Sequence, residues 1–358
     1  MKIGILTFHC AHNYGAVLQS YATQEFLRSK GYDAEIIDYR PDFLLRPYKL
    51  FNIRRFLCKS PIRLAKNILD ELLTFKLRYK RHKGFEKFIS KHLVLSKNCS
   101  NGAIPSDYDI YIVGSDQIWN FNITKGDETY FCKFPFKKGC KKYIAYAASM
   151  EATKLNNNIS YEKLLDSFDA ISVREKNLQH LLSPLTNLKI EHVLDPTLMV
   201  PSNMWNSLDN GKTYEEKYIV VYQVRENNDT IRIARHLAEQ IGAKIKILVA
   251  WLGKQTSENN QSATPEDFVN TIRNAACVVT TSFHGTAFSV IFNRPFYTIK
   301  LNDGADSRSQ SLLKALNLED RLINIDDTPS FEEIEYKEIN EKLDVLRRNS
   351  QDFILKNI

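Results

Sequence analysis

The segment Thr280-Thr281-Ser282-Phe283-His284-Gly285-Thr286 sets an imidazole, small hydroxyl residues and a glycine directly after the apolar run Cys277-Val278-Val279. The pattern predicts a buried strand that ends near Thr281 and a helix that begins near Gly285 or Thr286. His284 then sits at a helix N-terminus, where unpaired backbone N–H groups and the positive end of the helix dipole favour a phosphate or a carboxylate. Gly285 would let an anion approach the backbone, and Ser282 and Thr286 add hydroxyls. The dipole lowers an imidazole's pKa and a bound anion raises it again, a combination suited to proton transfer near pH 7. The plainer alternative is that His284 caps the helix and Gly285 eases packing.

Arg308, in "DSRSQSLLKAL", stands just before a predicted helix and could grip a phosphate or carboxylate with two N–H groups; it could equally be an exposed loop arginine. Arg174 and Glu175, in "ISVREKN", fall where a strand enters a helix, so Arg174 could reach into a cleft and hold an anion. In "FHCAHNYGAVLQ" a strand ends at Phe8, and His9, His12, Asn13 and Tyr14 occupy the loop before the next helix. A metal there would need a third ligand, and the sequence offers none. "VGSDQIWN" ends a strand with Ser115, Asp116, Gln117, Trp119 and Asn120. A carboxylate, amides and an indole can bind a sugar, by hydrogen bonds to hydroxyls and by stacking on the ring's C–H face; Asp116 could instead cap the next turn. His192 and Asp195 read as structural, Asp195 fixing the turn at Pro196. There is no GxGxxG after the first strand, no GxxxxGK[ST] and no GxSxG, which disfavours dinucleotide, P-loop and hydrolase-elbow chemistry.

These residues need strands and helices that bring loop ends together. Residues 2–8, "DAEIIDY", "DIYIVGSD", "KYIAYAAS", "FDAISV" and "IEHVLDPTLMV" read as strands, with a helix over "NYGAVLQSYATQEFLRSKG". The polar stretch 201–217 separates them from a second alternation: "YIVVYQV", "AKIKILVAW", "CVVTTS" and "RPFYTIKL" as strands, with helices between, Thr264 capping one of them ahead of Pro265. The expected fold is α/β: two Rossmann-like doubly wound domains, 1–205 and 206–330, facing a cleft, followed by a charged amphipathic helix over 331–358. Ligands in such sheets bind beyond the carboxyl ends of the strands.

A chain of 358 residues is long enough for two domains. It has no apolar run of about 18 residues that would cross a membrane, and "MKIGILTFHC" reads as a buried strand rather than a signal peptide. Six scattered cysteines without a CxxC suggest free thiols in the cytoplasm and no zinc site. The net charge of +7 is uneven: Arg40 to Lys91 holds fifteen Lys or Arg against four carboxylates. This basic block lies in a helical insertion at about 41–95, with Pro61 starting a helix that carries Ile68, Leu69, Leu72 and Leu73. It suits an anionic surface, or it is a solvated helical hairpin.

In order along the chain, "HNYGAVLQSYA" (12–22), "YIVGSDQIWN" (111–120), "ISVREK" (171–176), "VLDPTLM" (193–199), "TPEDFVNTIRNA" (264–275) and "TTSFHGTAFSVIFNRPF" (280–296) resemble the polysaccharide pyruvyl transferases. The resemblance implies a fold like the two-domain, GT-B-type glycosyltransferases. It also implies transfer of a pyruvyl group from phosphoenolpyruvate to a sugar, usually as a ketal bridging two hydroxyls, with release of phosphate. By the same resemblance His284 matches the family's functional histidine and Arg174 a donor-gripping arginine. Arg308, Ser282, Gly285 and Thr286 complete a donor side. Asp116 or His12 is the candidate base, and His9, Asn13, Tyr14, Gln117, Trp119 and Asn120 the candidate acceptor side. No metal or cofactor is expected beyond phosphoenolpyruvate as co-substrate. The expected partners are a sugar acceptor carried on a lipid and, through residues 40–91, the inner face of an anionic membrane; nucleic acid is not expected. The rival readings are a glycosyltransferase of the same architecture with a nucleotide-sugar donor, and a non-catalytic polyanion-binding protein built on the basic block.

Overall fold

Runs such as Ile110–Val113, Ala170–Val173 and Cys277–Thr280 are buried at every position. Strands of that kind must be covered on both faces, as in a parallel sheet with helices on each side. The computed structural model describes residues 1–50, 60–99, 103–151, 154–224, 227–250, 258–302 and 306–358. It places these runs in two six-stranded sheets. The first holds β1 (Lys2–Leu6), β2 (Asp33–Ile36), β3 (Ile110–Val113), β4 (Lys142–Ala148), β5 (Ala170–Val173) and β6 (Ile190–His192) in the order β2-β1-β3-β4-β5-β6. The second holds β7 (Tyr218–Gln223), β8 (Lys244–Val249), β9 (Asn259–Asn260), β10 (Cys277–Thr280), β11 (Phe296–Ile299) and β12 (Leu322–Ile323) in the order β12-β11-β10-β7-β8-β9. Every ladder is parallel; Ile3, for example, lies between Ala34 and Ile110, and Val278 between Val220 and Phe296. Counted from its own first strand, the second sheet runs 3-2-1-4-5-6, the Rossmann order.

Three apolar clusters follow from these layers. One lines the outer layer of the first sheet, around Leu6, Trp119, Tyr143 and Leu182. A second does the same for the second sheet, around Ile219, Leu237 and Val279. The third runs through both lobes, from Ile3 and Tyr14 to Tyr222, Phe268 and Phe288, so the lobes share a core on their facing sides. The C-terminal helix Lys337–Asn357 returns to the first lobe: Arg347 Nε donates to Leu198 O at 3.0 Å, Gln351 to Met199 O at 2.9 Å, and Leu194 N donates to Ser350 Oγ at 2.9 Å.

The structure departs from the sequence reading at several boundaries; the C-terminal helix, for one, begins at Lys337 and not at 331. "IEHVLDPTLMV" is a strand only to His192; Asp195 then accepts from Thr197 N and caps a helical turn, Pro196–Met199. The helix after β10 starts at Phe283, two or three residues earlier than expected. The helix carrying Arg308 spans Asp306–Leu316, so Arg308 lies in its first turn rather than before it. That helix stops at Leu316, where Asn317 turns left-handed at φ 57°, and Leu322–Ile323 then supply the edge strand β12.

The basic insertion is a single long helix, Pro61–His92, for most of its length. Its charges divide. Arg81 is buried: Nη1 donates to Val249 O and Nη2 to Ala250 O, both at 3.0 Å, at the carboxyl end of β8, and the guanidinium stacks on Tyr14 and Phe85. Arg40 is tied to Asp38 at 2.6 Å. These two therefore belong to the fold and not to an anionic surface. Arg54, Arg55 and Lys59, the side chains of Arg63, Lys66 and Leu72, Trp251 and the loop residues 303–305 lie outside the described residues.

Candidate active site

Ligand crevices in open parallel sheets form where the strand order reverses, beyond the carboxyl ends. In the second sheet that point is β7/β10, and β10 feeds the His284 helix. Thr280 Oγ1 donates to Tyr222 O at 2.6 Å and accepts from Ser282 N at 3.0 Å, which turns the chain. Ser282 is the N-cap residue in extended conformation, and Thr286 N makes the first helical bond, to Ser282 O at 3.0 Å. The amides of Phe283, His284 and Gly285 precede that bond and form the open N-terminal turn. A Cβ on Gly285 would meet Thr280 Oγ1 at 2.2 Å. Gly285 thus serves close packing of helix on strand, the alternative left open by the sequence. Thr286 is fully buried, its hydroxyl 2.7 Å from Thr298 Oγ1, so it faces the core and not a donor.

The first lobe brings a charged cluster to the same place. Arg174, just past β5, donates through Nη1 to Asp195 and, at 3.4 Å, to Ser115 Oγ; Nη2 lies 3.4 Å from Asp116 Oδ1. Its guanidinium also sits 5.1 Å from the ring centroid of Phe283, in the opposite lobe's helix. Asp195 accepts in addition from Ser115 Oγ at 3.2 Å and from Thr197 Oγ1 at 2.8 Å, and its Oδ1 is 3.9 Å from His284 Nε2. Glu175 accepts from Ser149 Oγ and lies 3.8 Å from Arg174 Nε. Asp116 holds φ 75°, the left-handed region, which a non-glycine residue adopts only under local constraint. With its amide oxygen turned to the second lobe, Gln117 accepts from Arg308 Nη1 at 3.3 Å while its nitrogen donates to Glu151 at 3.3 Å.

His284 fits between the lobes because Gly15 has no side chain: a Cβ there would lie 2.0 Å from His284 Nδ1. Four polar atoms of this cluster are buried without a protein hydrogen-bond partner: Arg174 Nε, Glu175 Oε2, His284 Nε2 and Arg308 Nε. Thr281 Oγ1, at the end of β10, is a fifth. Buried polar groups are normally satisfied, and a polar, charged ligand placed here could satisfy these five.

Burial sets the protonation states. It pushes His284 down to about 4, with Asp195 opposing and the Arg174 and Arg308 guanidiniums assisting. The imidazole is therefore neutral near pH 7. Burial works against the charge on Asp195, but Arg174 and then His284 hold its carboxyl below the usual range. Burial raises Glu175 above that range, against the pull of Arg174. Arg308 is lowered by burial and then by Arg174.

The residues expected on the acceptor side divide. Asp116 and Gln117 are in the cluster. Trp119 is fully enclosed, its Nε1 donating to Tyr130 O at 3.0 Å and its ring stacked on Phe131, so it has no face to offer a sugar. His9 is fully buried between Asp38, at 2.8 Å, and Thr7 O. His12 is held by Glu86 at 2.9 Å through Nε2 and stacked on Phe85, away from the Arg174–Asp195 cluster's hydrogen bonds. Asn13 and Asn120 are N-caps, accepting from Ala16 N and Asn122 N. Tyr14 joins the lobes, donating to Ala263 O at 3.1 Å and accepting from Arg81. Asp195, Glu175 and Gly15 are the residues that the sequence did not single out for the site. Asp195 was masked by Pro196, since an aspartate before proline is an ordinary turn; nothing local distinguishes Gly15 from any other helix-start glycine.

The fold is similar to that of UDP-GlcNAc 2-epimerase from Neisseria meningitidis (TM-score 0.49, 10% identity, 100% of this chain and 99% of that one). It is also similar to the UDP-GlcNAc 2-epimerase from Methanocaldococcus jannaschii (TM-score 0.47, 12% identity, 99% of each chain). The ADP-heptose lps heptosyltransferase II of E. coli is more distant (TM-score 0.33, 11% identity, 98% of this chain and 100% of that one). The strand orders, rather than these likenesses, carry the two-domain description. No curated protein matches by sequence. The polysaccharide pyruvyl transferase family model matches residues 13–303, a span that takes in Gly15, Asp116, Arg174, Asp195 and His284, and the chain belongs to that family.

Proposed function

We propose that the protein moves a pyruvyl group from phosphoenolpyruvate to a sugar of a cell-surface polysaccharide, such as a capsule or exopolysaccharide, or of its lipid-linked precursor. A pyruvate ketal forms and phosphate leaves. The observation that carries this reading is the meeting of Arg174, Arg308 and His284 from two lobes, each with a buried N–H or ring nitrogen that has no protein hydrogen-bond partner. Phosphoenolpyruvate carries a phosphate and a carboxylate on a small frame, and guanidiniums grip such groups by paired hydrogen bonds. The two-lobe division, with residues 1–205 on the acceptor side and 206–330 on the donor side, belongs to the same reading.

The donor's charge raises His284 from about 4, and the resulting imidazolium protonates the methylene carbon, which leaves C2 electrophilic. A sugar hydroxyl attacks C2 and gives its proton to Asp116. A second hydroxyl of the same sugar then displaces phosphate from C2 and gives its proton to His284, and the proton on Asp116 leaves with phosphate. Two hydroxyl protons are lost; one ends on the new methyl group and one on phosphate, so the cycle closes. Asp195 is a positioning residue in this scheme, holding Arg174 and facing His284 Nε2. The guanidiniums supply the positive charge, so the scheme calls for no metal and no cofactor. The setting would be the cytoplasm, at the inner face of the membrane that carries the acceptor.

The deciding experiment is incubation with phosphoenolpyruvate and candidate glycolipids. Phosphate release together with the mass gain of one pyruvylidene group is the expected result. Thermal stabilisation by UDP- or GDP-sugars, with none by phosphoenolpyruvate, overturns it in favour of glycosyl transfer.

A further inference from the structure

We propose that the outward face of the Pro61–His92 helix is a docking surface for an anionic lipid bilayer. Ile62, Leu69, Leu73, Lys76, Lys80, Lys83, Lys87 and Lys91 follow one another at steps of three, four or seven residues. At about 100° per residue they fall within an arc of about 80°, in a stripe roughly 45 Å long. Ile62, Leu69 and Leu73 are 84%, 55% and 70% exposed, and all five lysines are exposed. None of the five has an ion-pair partner among the described residues. The inward face holds Arg81, Phe85, Phe88 and Ile89, all buried. The stripe therefore cannot turn inward without undoing the contact between the lobes.

The order within the stripe chooses the partner. Aliphatic side chains at one end and a row of cations along the rest is the composition of a helix that lies in a bilayer interface, its apolar part among acyl chains and its lysines among phosphates. Lysine stems can also bury against the apolar layer with their ammonium groups at the headgroups. A nucleic acid would use the lysines and leave Ile62, Leu69 and Leu73 without a role. A second copy of this chain, itself at +7, would set like charges against each other. The same helix borders the site: Phe85 stacks on His12, and Arg81 donates to Tyr14, just ahead of Gly15 and His284. Docking would hold that cleft close to a membrane-borne acceptor. This extends the acceptor reading above, but vesicle binding is read without turnover, so the two can fail separately.

The test is flotation of the full chain with phosphatidylcholine vesicles, with and without phosphatidylglycerol, at low and high salt. Binding should appear only with the anionic lipid and fall with salt. The triple variant Lys76→Gln, Lys80→Gln, Lys83→Gln should lower partitioning roughly 100-fold, with circular dichroism and the melting temperature unchanged. The same change at the exposed Lys163, Lys314 and Lys337 should have little effect. Leu69→Gln with Leu73→Gln should weaken binding while leaving its salt dependence. Equal binding to neutral vesicles overturns the proposal, as does full binding by the lysine variant. So does preference for a single-stranded RNA competitor over the vesicles, or a concentration-dependent dimer that the two leucine changes abolish.

Discussion

His284 Nδ1 lies where a side chain on Gly15 would begin: the two positions are 2.0 Å apart for a Cβ built on the glycine. The first helix of one lobe thus sets the position of the imidazole of the other. Gly15→Ala should force the ring or the lobes to shift. Misplacement by about 1 Å can cost on the order of 100-fold in rate, while overpacking costs roughly 1–3 kcal/mol. The expected outcome is a kcat lowered about 100-fold in a protein that still unfolds cooperatively; wild-type kcat would separate the glycine from the site.

His284 should make stability depend on pH. Burial holds it at about 4 in the folded chain, against about 6.5 when unfolded. Between those values the unfolded state binds the extra proton, so stability falls as pH drops from about 6.5 toward 4. The effect is bounded at roughly 3 kcal/mol. Denaturant titrations at a series of pH values should show a slope that His284→Asn reduces. The same variant should lose on the order of 100- to 10,000-fold in turnover. Phosphoenolpyruvate binding near pH 6 should take up a proton, read from calorimetry in buffers of different ionisation enthalpy; no uptake would argue against His284 as the acid.

Arg308 allows a cleaner test of donor binding than Arg174. Arg174 is locked into Asp195, Ser115 and Asp116, and removing one partner of a buried pair destabilises by about 3–5 kcal/mol. Arg308 is half-buried, with Nε unpartnered. Arg308→Gln should raise the KM for phosphoenolpyruvate by roughly 10- to 100-fold, the loss of one charge-assisted contact of about 1.5–3 kcal/mol, with the melting temperature little changed.

Metal chelation should leave turnover unchanged, since two guanidiniums meet the donor's charge in the proposed scheme. Loss of activity in EDTA, restored by a divalent cation, would require a different account of phosphate departure.

Two basic residues one position apart should behave differently. Arg81 bridges the lobes through Val249 O, Ala250 O and Tyr14, and Arg81→Met should cost about 3 kcal/mol, from lost bonds to a charged donor. Lys80 is exposed, and Lys80→Gln should stay within about 0.5 kcal/mol. Chemical denaturation of both variants checks the contrast.

The alternation of apolar runs with capped helices was legible because it is local. "TPEDFV" carries its own capping box, Thr264 with Asp267, and Pro265 at the first helical position. "CVVTTSFHG" likewise encodes a strand, a turn and a helix start in adjacent residues, so the placement of His284 beyond β10 came with it. Boundaries moved where one residue's backbone decided them, as at Asn317. What no window of sequence contained was which loops would meet. Asp195 looked like the start of a turn, and it is one; only the packing of β5 against β6 brings Arg174 onto its other oxygen. Trp119 and His9 had the right chemistry for a sugar or a proton, but the outer core closed over both. Arg81 counted as one more surface cation until the second lobe supplied two carbonyls for it. Residue type and spacing determine which groups reach the carboxyl ends of the strands. Which of them face each other, and which are consumed by the fold, is decided by contacts between distant segments, because burial and pairing energies depend on neighbours that the chain supplies only after it has folded.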